Sequence, residues 1–482
     1  MLKRYISLFL LFVLIVMPLV SCDKGDDQNN NNNPPSDEET VIDFEGADYT
    51  ILARAETAYE VDNSGKGTDD KVQRKIWERN VYIKDTYNAI VEVVPVSGIW
   101  ANRTDYIAAA RAAINSGMNE YSMFLTHGVY IQNMAMEGLG LELSKLPQID
   151  IAADWWCKDY NDVSTIDGKN YVFLGDIGIT LYENLQVIFV NWDIAEKYHV
   201  EDLYQKVLDG NWTLDEMIRL SKVVDSAENP YIPEQDRNYG LLSNAHSVGN
   251  FAVSLNLKYT GRGENGQRSF GTKPPKKLAD VFETLRLWYI TDTVKYGLNS
   301  STDKESNPIF TDGRALFYTQ ILGEAKYMAA NMEDEYGVIP YPKYEAGKDT
   351  PYYSTTQHDL SACLVPASVE NTEMVGTVTE AMCKYGREHI TYEYFETRLK
   401  LRYFDDYQTK AMLDLVRDGL SYEFTEVFGG IFSVNPYDSF ENVMYKNIIS
   451  PHSETLPFHW QTNAGIWRNE LKTMYENFAK LD

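Results

Sequence analysis

Seven histidines, four cysteines and 71 acidic residues are the side chains of this 482-residue chain that could shuttle protons, attack carbonyls or hold metals. The histidines stand singly at 127, 199, 246, 358, 389, 452 and 459, and none has a partner at metal-ligand spacing, although His452 and His459 lie seven apart. Cys157, Cys363 and Cys383 are isolated thiols with no CxxC, best read as buried apolar side chains. No GxSxG elbow, HExxH pair or phosphate-cradling glycine loop occurs, so serine-hydrolase, zincin and nucleotide chemistry have no support. A glycosidase would need only two carboxylates across a cleft, and with so many acids some such pair arises by chance. The residues therefore imply no metal, no cofactor and no catalytic constellation.

Cys22 is the exception among the thiols, because its surroundings carry a chemistry. Lys3 and Arg4 open the chain, an apolar run from Leu8 to Leu19 is broken only by Pro18, and Leu19-Val20-Ser21-Cys22 closes it. The run is too short to span a bilayer comfortably and is followed by polar residues, so it reads as a removable signal. The closing pattern resembles the lipobox of bacterial lipoproteins, which implies acylation of the Cys22 thiol and cleavage before it. Residues 1–21 are then a lipoprotein signal peptide. Residues 22–40, with Asn29 to Asn33 and Pro34-Pro35, cannot bury enough apolar surface to fold and read as a disordered tether.

Beyond the tether, 44% hydrophobic and 24% charged residues describe an ordinary globular body, long enough for two or three packed units. Net charge is −27, and loss of Lys3 and Arg4 makes the mature form two charges more negative. Such a field disfavours nucleic acid and disfavours attachment to anionic lipid through a basic patch. Aromatics make up 13% of the chain, including 34 Tyr and 9 Trp. Surplus Tyr and Trp offer an apolar face and a polar edge to sugars or peptides, although core packing accounts for most of them.

Any such surface must be positioned by the regular elements. Tyr49–Ala55 reads as a strand, Lys71–Tyr87 as a helix with Val72, Ile76 and Ile83 on one stripe, Ala89–Val96 as a strand, Tyr106–Ile114 as a helix and Glu120–Leu125 as a third strand. That alternation predicts a parallel sheet covered by helices. Thr165–Phe173 reads as a hairpin turning at Asp167-Gly168. Leu185–Val190 is a continuous apolar run and should be a buried central strand. Asn191 can cap the helix after it, and Thr213 with Glu216 forms a capping box for the next.

Asn191-Trp192-Asp193 followed by Asn211-Trp212-Thr213-Leu214-Asp215-Glu216 resembles the pattern in family 1 extracellular solute-binding proteins of ABC importers, in which a hydrophobic strand reaches Asn-x-Asp. Three further segments repeat the likeness in order: Phe310 to Phe317 with Gly313-Arg314-Ala315, Tyr336 to Pro342, and Cys363 to Ser368 ahead of a helix from Glu370. Thr213 follows Trp212 instead of preceding it, and Thr372 stands where Pro is common. The likeness spans essentially the whole body.

That resemblance implies an α/β, two-lobed periplasmic-binding-protein-like fold of the second type, with a hinge between the lobes. It places crossings near Asp176–Tyr182, Val338–Tyr341 and Gly419–Phe428. The amino-terminal lobe is expected over 41–177 plus 342–420, and the other over 178–341 plus 421–482. It also implies capture of a small solute, preferentially a sugar or oligosaccharide, by a monomer that hands it to the permease subunits of an ABC transporter, without chemistry.

In doubly wound lobes, ligands sit beyond the carboxyl ends of the strands. This selects Glu56, Thr126, His127 and Gln320, and Tyr182 and Tyr341 at the expected crossings. Gln357, His358 and Asp359 form a dense polar cluster ahead of the strand Leu360–Val365. Trp155, Trp156 and Trp460 are candidate stacking platforms, whereas Trp212 reads as a structural ring beside a capped helix. The lipid on Cys22 would hold the receptor at the extracytoplasmic face of the cell membrane. A one-membrane cell is preferred, with an inner-membrane anchor facing a periplasm as the alternative. Rival readings are a lipid-tethered glycosidase, the same fold binding peptide or another non-sugar solute, and an adhesion module, which would show repeats or a sandwich pattern.

Overall fold

The computed structural model describes residues 42–224, 232–264, 266–297, 306–404, 406–432 and 454–481. Cys22, the tether and His452 lie outside them, as does the side chain of His246.

The first apolar strands form one sheet. β1 (Ala47–Arg54) pairs in parallel with β2 (Ala89–Val96) on one side and β3 (Met123–His127) on the other. The helix Lys71–Tyr87 between β1 and β2 begins where Asp70 accepts from the Gln73 amide at 3.0 Å and ends at Asn88, whose left-handed φ of 49° stops it. Val72, Ile76 and Ile83 are buried as their spacing predicts.

A second sheet begins with β4 (Gln186–Asn191), all six residues of which are buried. It continues through β5 (Tyr239–Asn244), and a short ribbon of β6 (Gly261–Arg262) and β7 (Arg268–Ser269) stands apart from it. β8 (Val294–Gly297), β9 (Ala315–Ile321) and β10 (Tyr336–Ile339) complete the order β10-β4-β9-β5-β8, and β11 (Ser361–Leu364) returns to the first sheet, giving β11-β3-β1-β2. β11 runs antiparallel to β3, and β4 is antiparallel to both its neighbours.

Three sequence expectations change. The Thr213 hydroxyl does accept from the Glu216 amide, but the Glu216 carboxylate turns to Arg219 and Lys206, so only half of the capping box forms. The turn at Asp167 and Gly168, with φ of 48° and 84°, carries a single bridge between Ile166 and Lys169. Phe173 leaves that hairpin to pair with Cys363 beside the first sheet, because a buried apolar partner outcompetes an isolated ribbon. Finally, Val338 and Ile339 are still paired with β4, so the second sheet extends into the first half of the expected crossing at Val338–Tyr341.

Where the chain does pass between sheets, three segments lie side by side. Leu185 bridges Thr356, and Ser354 bridges Leu420, whose neighbour Ser421 donates its amide to the Ser354 carbonyl at 2.7 Å. The first passage is pinned by buried polar groups. Arg79 donates to the Ile177 carbonyl at 2.6 Å and to the Glu60 carbonyl at 3.0 Å. The Glu60 carboxylate accepts from the Thr180 amide at 2.6 Å and from Ser361 Oγ at 2.5 Å. Among the described residues no helix is long and apolar enough to cross a membrane.

Candidate ligand site at the strand ends

β1, β2 and β3 are parallel, so their carboxyl ends share one edge of the sheet, and polar residues collect there. Arg54, the last residue of β1, is 2% exposed. It donates to Asp359 twice, from Nη1 to Oδ1 and from Nη2 to the backbone carbonyl, each at 2.5 Å. His127 ends β3 and places Nε2 3.1 Å from the same Oδ1. Its Nδ1 accepts from the Val129 amide at 3.2 Å, so the neutral ring carries its proton on Nε2, facing the carboxylate.

Burial depresses the His127 pKa, and the hydrogen bond to Asp359 only partly restores it. Burial works against ionisation of Asp359, yet His127 and Arg54 outweigh it and hold the carboxyl well below the usual range. The Asp359 side chain nevertheless keeps 54% of its surface exposed, so an ionised, immobilised acceptor faces outward.

Glu56 stands two residues past β1. Its Oε1 accepts from Ser97 Oγ at 2.6 Å and its Oε2 from the Gly98 amide at 3.1 Å, both just beyond the end of β2. Partial burial opposes its ionisation, and those two hydrogen bonds prevail, keeping it below the ordinary glutamate value. Thr126 is fully buried beneath this rim, sharing a 2.6 Å hydrogen bond with the Tyr130 hydroxyl, which donates to the Gly98 carbonyl at 2.8 Å. The His358 carbonyl lies against Gly128, and the Gln357 amide donates to the Asn184 carbonyl of the first passage at 2.8 Å. Tyr160, Tyr422 and Glu426 face His358 across a slot of about 10 Å³, room for about one water.

The structure thus brings Glu56, Thr126, His127, Gln357 and His358 to one rim. The other candidates lie elsewhere. Gln320 is buried in the second sheet, donating to the Tyr318 hydroxyl at 2.9 Å and accepting from the Ile321 amide at 2.8 Å. Tyr341 is buried with its ring 5.1 Å from that of Phe251. Trp460 is fully buried, its indole N–H donating to the Gly271 carbonyl at 2.9 Å. Trp155 and Trp156 both donate to the Glu380 carboxylate, at 3.0 and 2.9 Å, and with Tyr182 they line a separate pocket. Arg54 is the rim residue that strand-end reasoning passed over, although a lone arginine closing an apolar strand was visible in the sequence. Among the described residues no group of three or more His, Cys, Asp or Glu side chains is arranged to hold a metal ion.

No protein-family model matches the chain, and no curated protein sequence matches it. Solved structures do resemble it along most of its length. The galacto-N-biose-/lacto-N-biose I-binding protein of an ABC transporter from Bifidobacterium longum, in complex with lacto-N-biose, superposes with a TM-score of 0.57 at 12% identity, covering 91% of this chain and 99% of its own. The cyclic alpha-maltosyl-1,6-maltose binding protein from Arthrobacter globiformis gives 0.57 at 11% identity, covering 89% and 99%. UgpB from Mycobacterium tuberculosis, in complex with glycerophosphocholine, gives 0.54 at 12%, covering 88% and 98%. At such identities the likeness is one of fold: this chain has the mixed α/β, two-lobed type II periplasmic-binding-protein-like fold seen in the solute-binding proteins of ABC importers.

Proposed function

We propose that this protein is a lipid-anchored extracellular solute-binding protein that captures a sugar or oligosaccharide between its lobes and delivers it to an ABC importer permease. Cys22 would carry the lipid, and the tether would keep the receptor at high effective concentration beside its permease. The observation that carries the reading is the pair of outward-facing carboxylates, Glu56 and Asp359, each fixed by its own hydrogen bonds where the strands end. Acceptors immobilised before binding can take hydroxyl hydrogen bonds with little ordering cost. That the similar folds named above include proteins solved with or named for oligosaccharides supports a sugar as the solute.

The same carboxylates argue against glycoside hydrolysis at this rim. Hydrolysis of a glycoside needs one carboxyl kept protonated to serve as acid, whereas both of these are held below their ordinary pKa values. The slot beside His358 is too narrow for a sugar ring, so solute would enter on the exposed Glu56 and Asp359 side or after the lobes open.

The test is thermal unfolding of residues 41–482 against a panel of mono- and oligosaccharides. Ligand at ~100 times Kd should add about 2.7 kcal/mol, and Glu56→Gln with Asp359→Asn should abolish that gain. Turnover of a glycoside in the same samples would overturn the binding-protein reading. Stabilisation by peptides or glycerophosphodiesters, with none by sugars, would keep the fold-level reading and remove the carbohydrate assignment.

A further inference from the structure

A pocket of about 340 Å³ lies beside the passages between the sheets, and no residue of the strand-end rim lines it. Its wall includes Asp176 and Tyr182 from the first passage, Arg417 from the end of the helix Tyr407–Asp418, Leu420 from the third passage just past it, and Arg387 from the π-type turn Gly386–Thr391 that extends the helix Thr372–Tyr385. Trp155 and Leu181 supply apolar surface.

Its polar groups fall into two kinds. Most are already committed: Lys158 pairs with Asp162, Arg417 pairs with Asp414 and Asp418, and Asp159 Oδ2 accepts from Ser421 Oγ and the Tyr422 amide. Asp176 is committed only in part. Asp176 is 4% exposed, and although its Oδ1 accepts from the Tyr182 hydroxyl, its Oδ2 accepts no hydrogen bond. The Arg387 guanidinium stays 3.7 Å from that oxygen, beyond hydrogen-bond reach, and spends its Nη1 on the Tyr182 hydroxyl at 3.3 Å. Thr391 acts on the same carboxylate as a side-chain hydrogen-bond partner, while Oδ2 itself is left without a hydrogen bond. Asp154, on the exposed side of the pocket, is close enough to Asp176 and Arg387 to act on both electrostatically.

A buried carboxylate oxygen without a donor is expensive unless something supplies one. The lining carries five aspartates against one lysine and two arginines, so its charge favours a cation as the donor. We propose that this pocket is a second ligand site, taking a small organic ammonium compound whose N–H groups bind Asp176 Oδ2 and Asp154 while its carbon body rests against Trp155, Leu181 and Leu420. A ligand seated there touches the first and third passages together, so it is coupled to the opening of the lobes, and by linkage solute and amine alter each other's affinity by the same factor.

The experiment is calorimetric titration of the purified protein with 1,4-diaminobutane, with 1,4-butanediol and tetramethylammonium as controls. One saturable site is expected, absent for the diol and at least about tenfold weaker for tetramethylammonium, which lacks N–H donors. Asp176→Asn should abolish binding, and Asp154→Asn, a surface change that does not endanger folding, should weaken it several-fold. Arg387→Gln should tighten it, because the resident cation no longer competes for Asp176; a purely structural arginine would give no such gain. No saturation at millimolar amine overturns the site, as does binding that survives both aspartate substitutions. The outcome is independent of sugar binding, since a failed saccharide panel leaves this titration unchanged.

Discussion

The buried guanidinium of Arg54 holds both the side chain and the backbone carbonyl of Asp359, a residue 305 positions later in the chain. One side chain thereby ties the end of β1 to the turn before β11 and fixes the acceptor that faces outward. Lysine has the charge but not the planar fork, so it can serve only one of the two oxygens. Arg54→Lys should therefore lower stability by about 1–3 kcal/mol and weaken solute binding more than stability alone explains. Denaturant unfolding beside a saccharide titration separates the two, and unchanged affinity would release Arg54 from the site.

His127 predicts how the rim responds to acid. Its folded pKa lies below the ordinary histidine value of 6.5, burial being the main cause, so the unfolded chain binds the proton more readily. Its contribution to stability is present above pH 6.5 and is lost as pH falls through the folded value. Asp359, Arg54 and His358 are the charged or titratable groups around it. His127→Gln, which keeps a donor toward Asp359, should flatten the stability slope below pH 6.5; an identical slope in both proteins would exclude His127 as its source.

Asp176 predicts a slope of the opposite sign. Burial raises its carboxyl from 3.8 to about 7, opposed by Tyr182, Arg387 and Thr391 and assisted by Asp154, with the Cys157 and Cys383 thiols also nearby. The folded state binds the proton more tightly, so the stabilisation is complete below pH 3.8 and is lost as pH rises to about 7. Asp176→Asn should remove this loss, and the difference between wild-type and variant stability across pH 4 to 8 reads it directly. Added diamine should reduce the same loss by favouring the ionised carboxylate.

Trp460 shows how a plausible stacking ring can be a core residue. It packs against Phe270 and Trp467, at ring separations of 6.0 and 5.5 Å, and its N–H is spent on Gly271. Trp460→Phe should cost about 1–3 kcal/mol while leaving solute affinity within about twofold. A large loss of affinity at unchanged stability would return Trp460 to the binding surface.

Local signals were legible in the sequence. The helix Lys71–Tyr87 and the strand Ala89–Val96 fall where their apolar spacing puts them, and Asn191 caps its helix by accepting from the Ile194 amide. Pairings across long separations were not. Nothing near Phe173 signals that Cys363 will capture it, and nothing near Arg54 signals Asp359, because both depend on which strand ends meet. Aromatic content misled in the same way. Trp155, Trp460 and Tyr341 all read as candidate ligand-facing rings, yet one lines a pocket and two are buried, since burial is decided by neighbours the local pattern does not name.

Gly386 gives the sharpest test of how the first passage is threaded. A Cβ there would stand 1.7 Å from the Asp176 carbonyl oxygen, and that obstacle is backbone, held in turn by the Asp176 amide donating to the Trp155 carbonyl at 3.0 Å. Neither side can retreat without moving the passage. Gly386→Ala should therefore cost about 3 kcal/mol and disturb solute binding through the hinge. Gly465, in the helix Leu456–Phe478, has only the tip of Arg468 at 4.0 Å, so Gly465→Ala should stabilise by about 1 kcal/mol through helix propensity alone. If both alanines behave alike in denaturant unfolding, the close approach of Gly386 to Asp176 is refuted.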